Sequence, residues 1–427
     1  MDVRIYGQHE DKVIAQLHRC VEQEEGSRGV LCADGHLGYS APIGGVVAYR
    51  EHVSPAAVGY DIGCGNLAVA TDLRADDDFR RALPALMDRI FDEVSFGIGR
   101  RDGGAADHPV IDAIRAAEFT PQRKLARLAA EQLGTVGAGN HYVDLFADEA
   151  DRVWVGVHFG SRGFGHRTAS GFLALAKGLD FEARPPEGEM ESAPDVLHVG
   201  SELGASYLSA MRLAGDYAYA GREVVVDQVL GILGATATDS VHNHHNYAWQ
   251  EEHGGDAFFV VRKGATPAFP GQRGFVGATM GEPAVILEGA PGGEDALFST
   301  VHGAGRAMSR TAAAGRSRRR MTCSHCKWVQ PPKTARPKRC PECGRSDSLQ
   351  TRWIQERPGA IDWNATVADL RRKGIELRGA NAEEAPGAYK RLSEVLAHHA
   401  GTVRVLHTLT PLGVAMAPGD TRDPYKD

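Results

Sequence analysis

The chain has no run of about 18 apolar residues, so its sequence offers no membrane-spanning helix. Its first residues, MDVRIYGQHEDKV, are charged early and lack the apolar core of a secretion signal, which makes the cytoplasm the expected compartment. The sequence shows no internal repeat. Cysteine is scarce, with seven in 427 residues, and its placement excludes a disulfide frame. Four cysteines form two Cys-x-x-Cys pairs, a fifth is Cys64, and only Cys20 and Cys32 are left over. In a reducing compartment that usage points to metal chemistry. Net charge is −7, which argues against nucleic-acid binding by the whole surface and leaves room for a local basic channel.

What the chain does have is glycine, 51 residues, much of it in short polar motifs. The run Gly59-Tyr60-Asp61-Ile62-Gly63-Cys64-Gly65 holds a carboxylate and a thiol three residues apart between glycines that permit tight turns. A carboxylate prefers hard cations and a thiolate softer ones, so the pair suggests Mn²⁺, Zn²⁺ or Co²⁺. The bland alternative is a turn with a buried cysteine.

Helical spacing of apolar residues covers 11–25, 76–93, 110–133, 203–234, 363–373 and 387–400. Short apolar runs with β character lie within 42–72, at 153–157, 258–261 and 285–287. Strands and helices mix without a regular βαβ beat, so the expected fold is α+β, one large domain with a mixed β core and surrounding helices. Composition changes at 315–358, a basic, proline-containing stretch read as an insertion, which divides the core into 1–314 and 359–427.

The insertion carries Cys323-x-x-Cys326 and Cys340-x-x-Cys343, thirteen residues apart. Two such knuckles supply the four thiolates of a closed structural Zn²⁺ site, a small zinc ribbon, with His325 as a competing but unneeded ligand. Arg318, Arg319, Arg320, Lys327, Lys333, Arg336, Lys338 and Arg339 flank it. Those charges read equally as solvation of a lobe with little core or as contacts to phosphate backbones.

Four histidine motifs stand elsewhere in Gly-rich or polar settings: His141 in Gly139-Asn140-His141, His158 before Gly160-Ser161-Arg162-Gly163, the His244-His245-Asn246-Tyr247 run, and His302-Gly303-Ala304-Gly305-Arg306. A lone histidine is more often a satisfied core residue than a ligand. Four together with Asp61 and Cys64 would supply enough ligands for two metal ions, with Cys64 able to bridge them. Asp34-Gly35-His36-Leu37-Gly38 either lines the same site or is a tight turn with a capping aspartate.

In order and spacing these motifs, with Arg262-Lys263-Gly264-Ala265, Met280-Gly281, Met308-Ser309-Arg310 and Ala388-Tyr389-Lys390, resemble the RtcB-type RNA ligases, the 3′-phosphate/5′-hydroxyl RNA-joining family. The resemblance runs through nearly the whole chain. It implies that Asp61, Cys64, His141, His158 and His245 hold two Mn²⁺ ions and that His302 is the nucleophile that accepts GMP from GTP. It further implies nucleotide contacts at Asn140, Asp144, Asn246, Thr279, Met280, Gly303, Ala304, Gly305, Arg306 and Tyr389. Arg306 would offer its guanidinium to phosphate oxygens, and Tyr389 would stack on the base. The implied substrates are GTP and RNA with 3′-phosphate or 2′,3′-cyclic phosphate and 5′-hydroxyl ends, and an archease-type activator is the implied partner.

The chain departs from the family pattern in four places. Met416 stands where a C-terminal lysine is usual, Asp144 replaces a longer Glu, Thr279 replaces Ser, and the four-cysteine lobe is extra. The rival expectations are therefore a metal-dependent cyclic phosphodiesterase with weak GTP use, or an RNA-end-binding protein without catalysis.

Overall fold

The computed structural model describes residues 2–99, 107–184, 192–419 and 421. Two sheets dominate them. The larger is a mixed sheet in which Ala237–His244, Gly65–Arg74, Arg152–Phe159, Tyr142–Ala147, Val403–Met416, Ala284–Gly289 and Arg273–Val276 lie side by side in that order. Glu376–Arg378 adds a parallel strand beside Val403–Met416. The sheet curls until its edge strands approach each other: the Phe275 amide donates to Asn243 Oδ1 at 3.0 Å, and Arg273 pairs with Asp239 at 2.6 Å. The smaller sheet runs Asp2–Ile5, Arg28–His36, Ile43–Tyr49, Asp256–Lys263 and Asn246–His253.

The sequence pattern explains these strands. Arg152–Phe159 and Ala284–Gly289 are near-continuous apolar runs because both faces of the sheet are covered. Val155, Val157, Leu145 and Val143 pack on one side with Val225, Val226 and Val229 of the helix Glu202–Leu233. Trp154, Phe146 and Phe275 fill the other side. The expected helical region 203–234 is this single 32-residue helix, capped by Ser201 and ended by Gly234 at φ +65°.

Other expectations were sharpened. Asp77–Glu93 starts where Asp76 accepts from the Phe79 amide. The region 110–133 breaks into Pro109–Arg115, Thr120–Arg123 and Ala126–Gln132, and Pro121 sits in the first turn of the second, where its missing N–H costs nothing. The region 387–400 keeps only Leu392–Ala397 as α-helix. Tyr389 is extended there because it forms a bridge with Arg306, and the Lys390 amide donates to Gly305 O at 2.9 Å. The expected mixed β core with outer helices is what the described residues form.

Gly315–Cys323 and Leu349–Pro358 pair as an antiparallel two-stranded ribbon, in separate hydrogen bonding from both large sheets. Its base is tied to the short helix Arg310–Ala314: Ala360 N donates to Ala312 O and Ile361 N to Ala313 O. Cβ atoms at Gly315 and Gly359 would strike the crossing backbone at 2.3 Å and 2.2 Å, so glycine is needed where the two strands leave the core. No helix among the described residues is long and apolar enough to cross a membrane.

Candidate metal and nucleotide site

One end of the large sheet gathers the motif residues because each strand ends or begins there. Gly65 pairs with Phe159 and with His244, and Tyr142 pairs with His158, so the loops carrying Cys64, His141 and His245 open together. The Asp61–Cys64 turn closes on itself, with the Cys64 amide donating to Asp61 O at 3.0 Å. The His245 amide donates to Cys64 O at 2.8 Å, which binds the two motifs directly.

Behind this turn lies Arg222, fully buried on the long helix. Its Nη1 donates to Gly63 O at 2.9 Å and Phe159 O at 2.6 Å, while Nε donates to His242 Nε2 at 2.8 Å. One side chain thus clamps the strand ends that present Cys64 and His158. Burial lowers its pKa to about 10, which leaves it cationic at neutral pH.

Sγ of Cys64 lies 3.9 Å from Nε2 of His141 and 3.8 Å from Nε2 of His158, and the three donor atoms all fall within 4.8 Å of one another. Asp61 Oδ2 is 3.2 Å from His141 Nε2. A divalent transition metal at ordinary bond lengths of roughly 2.0–2.3 Å fits donors at these separations. The protonation pattern suits a ligand set too. His158 Nδ1 donates to Asn66 Oδ1 at 2.7 Å, so its Nε2 carries the lone pair that faces Cys64. Burial lowers the pKa of His158 and of His245 well below the usual value, keeping both neutral. Burial raises Asp61, but the hydrogen bond and charge of His141 outweigh it, and the net shift is downward. A Cβ at Gly160 would sit 2.4 Å from the Asp61 carboxylate, so only glycine lets that carboxylate reach the cluster.

His245 stands apart from the tight trio. Its ring lies 5.1 Å from that of His158 and 5.0 Å from that of His302, between the cluster and the expected nucleophile. Its Nδ1 is buried with no hydrogen-bond partner, as is Nδ1 of His141. An unpartnered buried imidazole nitrogen between two sites suits a second ion.

His302 follows the short strand Ser299–Val301. Its Nδ1 donates to Asp34 Oδ2 at 2.6 Å, and its backbone amide donates to the same oxygen at 3.0 Å. Asp34 is fully buried; burial raises its pKa, and contact with His302 reverses the shift and holds it below the usual range. With Nδ1 committed to the carboxylate, Nε2 of His302 is left with its lone pair. Asp34 thus contacts the His302 ring and amide directly, in place of a simple turn cap. Gly305, at φ +74°, passes so close to Asp34 that a Cβ would meet its carbonyl oxygen at 2.2 Å.

A cavity of about 240 Å³ opens in front of His302 and His158. Asn140, Asp144, Thr279, Met280, Gly303, Ala304, Gly305, Arg306 and Tyr389 all line it, and so does Met416. Its floor is polar but unsatisfied: Tyr142 Oη, Asp144 Oδ1 and Thr279 Oγ1 are buried without partners. Strand register explains the grouping, since Val414 pairs with Asp144 and Met416 with Tyr142. Burial pushes the Asp144 carboxyl well up from its ordinary value. Three orphan polar atoms beside Met280, Val414 and Met416 form a half-apolar slot of the kind that receives a heterocycle edge.

Three expected nucleotide residues hold other groups here. Arg306 is fully engaged: Nε donates to Met308 O at 3.1 Å, Nη2 to Glu383 O at 2.8 Å, and Nη1 to Tyr389 Oη at 2.9 Å and Glu384 at 3.3 Å. It lies over the Tyr389 ring at 4.8 Å, and Tyr389 in turn donates to Glu384. Arg306 and Tyr389 thus form one rigid wall in place of a free phosphate fork and a free stacking ring. Asn246 Oδ1 accepts the Gly264 amide at 2.7 Å, and its Nδ2 reaches Asp61 O at 3.4 Å, bracing the Asp61–Cys64 turn from behind.

Sequence reading missed Glu384, Asn66 and Arg222. Asn66 had a signal, since strand alternation after Cys64-Gly65 turns it toward His158. Glu384 and Arg222 lie in segments with no motif.

In the ribbon, Cys323 Sγ and Cys343 Sγ are 3.6 Å apart, and Cys326 Sγ and Cys340 Sγ are 3.4 Å apart. All four sulfurs fall within 4.8 Å of one another. Tetrahedral Zn²⁺ with bonds of about 2.3 Å requires sulfur separations of about 3.8 Å, so the cluster fits that ion.

The chain matches the family model described as tRNA-splicing ligase RtcB over residues 16–120 and 110–328. It is 34% identical over 309 residues to the RNA-splicing ligase RtcB of Escherichia coli (strain K12), covering 66% of this chain and 74% of that protein. It is 29% identical over 474 residues to the tRNA-splicing ligase RtcB of Thermococcus kodakarensis, covering 90% and 87%. With the RNA-splicing ligase RtcB of Mycobacterium bovis the identity is 28% over 465 residues, covering 89% and 94%.

Proposed function

The chain belongs to the RtcB family, and from that premise we propose that it is an RNA ligase that uses GTP and Mn²⁺ to join RNA 3′-phosphate or 2′,3′-cyclic phosphate ends to 5′-hydroxyl ends. The observation that carries this reading is the His302–Asp34 pair at 2.6 Å, with His302 lining the cavity beside the Cys64 cluster. A binding protein has no use for a buried carboxylate that fixes a histidine tautomer.

The chemistry follows from that tautomer. A 2′,3′-cyclic end is first opened by water to a 3′-phosphate. His302 Nε2 attacks the α-phosphorus of GTP, the bond to the leaving oxygen breaks, and pyrophosphate departs. Asp34 stabilises the positive charge that develops on the ring as the N–P bond forms. An oxygen of the RNA 3′-phosphate then attacks the same phosphorus and releases His302. Finally the 5′-hydroxyl oxygen attacks the activated RNA phosphorus, and GMP leaves. Asp61, Cys64, His141, His158 and His245 would hold Mn²⁺, which when bound neutralises charge on the reacting phosphates. The floor of Tyr142, Asp144 and Thr279 would take the base, and the Arg306–Glu384–Tyr389 wall would hold its position.

Incubation with α-labelled GTP and Mn²⁺ tests this. Label should remain on the denatured chain, vanish in His302→Ala, and fall by roughly 10²-fold or more in rate in Asp34→Asn, where the ring tautomer is no longer held. Wild-type protein that ligates RNA but never carries label would refute the histidine route.

A second reading is favoured by Met416, which lines the cavity where a lysine is usual in the family. Poor nucleotide capture there would leave a metal-dependent cyclic phosphodiesterase. Cyclic-phosphate opening without label on His302 would establish it.

A further inference from the structure

The four-cysteine ribbon takes no part in the chemistry just described, yet it is the most unevenly charged part of the chain. Residues 315–358 hold twelve Lys or Arg against three Asp or Glu, in a protein whose net charge is −7. The positive charge is therefore concentrated on one projection of an otherwise acidic molecule. The ribbon also carries Trp353, which is 62% exposed, an unusual state for so large an aromatic side chain. Arg319 is its direct partner in the strand register and lies over its ring at 5.6 Å. The opposite face is organised differently, since Arg318 and Arg320 both pair with Glu356 there. That face, which also carries Arg352 opposite Arg320, spends part of its positive charge on one carboxylate, while the other presents an aromatic ring beside a cation.

The ribbon is also close to the site in the chain. It springs from the helix Arg310–Ala314, whose first residue lines the cavity and pairs with Glu384 at 3.3 Å. Strands of this length reach about 30 Å, and Arg319 and Trp353 lie about halfway along.

We propose that the Trp353–Arg319 face of the ribbon binds a single-stranded segment of the RNA substrate outside the joined end, with Trp353 stacking on a base and the surrounding cations following the backbone. An exposed aromatic ring on a basic surface is the arrangement that takes unpaired nucleotides irrespective of sequence, because every base has a flat face. The ribbon cannot rely on a core of its own for rigidity, so the four-cysteine cluster sets its shape. The proposal deepens the ligase reading and rests on it for the placement of the RNA end.

The test uses the full-length protein with a short RNA of about 6 nucleotides and a long one of about 20, both single-stranded with 3′-phosphate ends. Wild type should bind the long RNA more tightly than the short one. In the double variant Trp353→Ala with Arg319→Ala, affinity and ligation KM for the long RNA should worsen roughly 10-fold. The short RNA, kcat and GMP loading should stay as in wild type. Trp353→Phe, which keeps a stacking ring, should restore most of the loss, and the salt dependence of long-RNA binding should flatten in Arg319→Ala. Zinc content and thermal unfolding matching wild type would show that the variants are folded. Equal loss for both lengths, no loss for either, or equally tight binding of a duplex would overturn the proposal. GMP loading on the same preparations separates it from the ligase reading: absent label with ring-dependent binding of long RNA refutes only the ligase, and normal label with no effect of the ring refutes only the ribbon.

Discussion

At the residue scale, the most informative position is Met416. It is buried at the end of Val403–Met416, pairs with Tyr142, and sits in the cavity with Asp144, whose Oδ1 lacks a partner. A lysine placed there would find that orphan oxygen, and a charge-assisted bond of roughly 1.5–3 kcal/mol would offset the cost of burial. Met416→Lys should therefore lower the GTP concentration needed for half-maximal labelling of His302 by about 10-fold. Unchanged GTP dependence with an intact fold would mean that the slot reads the base without a cation. Sequence reading reached His302 through its Gly-rich motif, and Met416 and Asp144 through the resemblance to the family. It did not reach Tyr142 or Glu384, because a tyrosine on a strand and a glutamate in a short helical turn look like thousands of others until their neighbours are known.

At the scale of elements, the site depends on how strand ends are held. Arg222 on Glu202–Leu233 donates to carbonyls at the ends of two different segments and to His242. Replacing it with an apolar residue of similar length, Arg222→Met, removes the Arg222 donor from the buried Phe159 carbonyl, at roughly 1–3 kcal/mol, leaves Gly63 O with His244 Nδ1 alone, and takes away the contact to His242. We expect a loss of about 3 kcal/mol or more in unfolding free energy and weaker Mn²⁺ binding, measured by denaturant titration and by metal titration of the same preparation. Intact stability with weakened metal binding would make Arg222 purely a positioning residue. Neither change would show that the turn holds itself. Helix 202–233 was legible from its composition, but its role was not, since the residue that matters is one arginine inside an Ala- and Leu-rich stretch that packs toward the sheet.

At the scale of the whole molecule, the two ends of the chain are joined at His399. It is fully buried, stacks on Tyr6 at 4.6 Å, and accepts the Ala33 amide at Nε2 at 3.2 Å. Burial lowers its pKa to about 4, whereas the unfolded chain binds its proton near 6.5. Between those values the unfolded state holds more protons, so the stability it contributes is present above pH 6.5 and is lost as pH falls toward 4. The loss amounts to about 3 kcal/mol. Denaturant unfolding across this range should show it, and His399→Gln, which still offers an oxygen to Ala33, should remove that part of the slope. Equal slopes in both proteins would assign the pH dependence to other groups. By itself the sequence determined the inventory: a carboxylate and a thiol suited to a metal, the histidines, four cysteines in two pairs, and a mixed α and β chain, because residue type and spacing carry ligand chemistry and periodicity. Only the tertiary structure decided which groups meet. It turned Asp34 from a turn cap into the partner of His302, and it tied Arg306 and Tyr389 into a wall with Glu384. It left His245 between two sites and set Trp353 beside Arg319. Those outcomes depend on strand register and on close approaches between segments hundreds of residues apart, which local patterns do not encode.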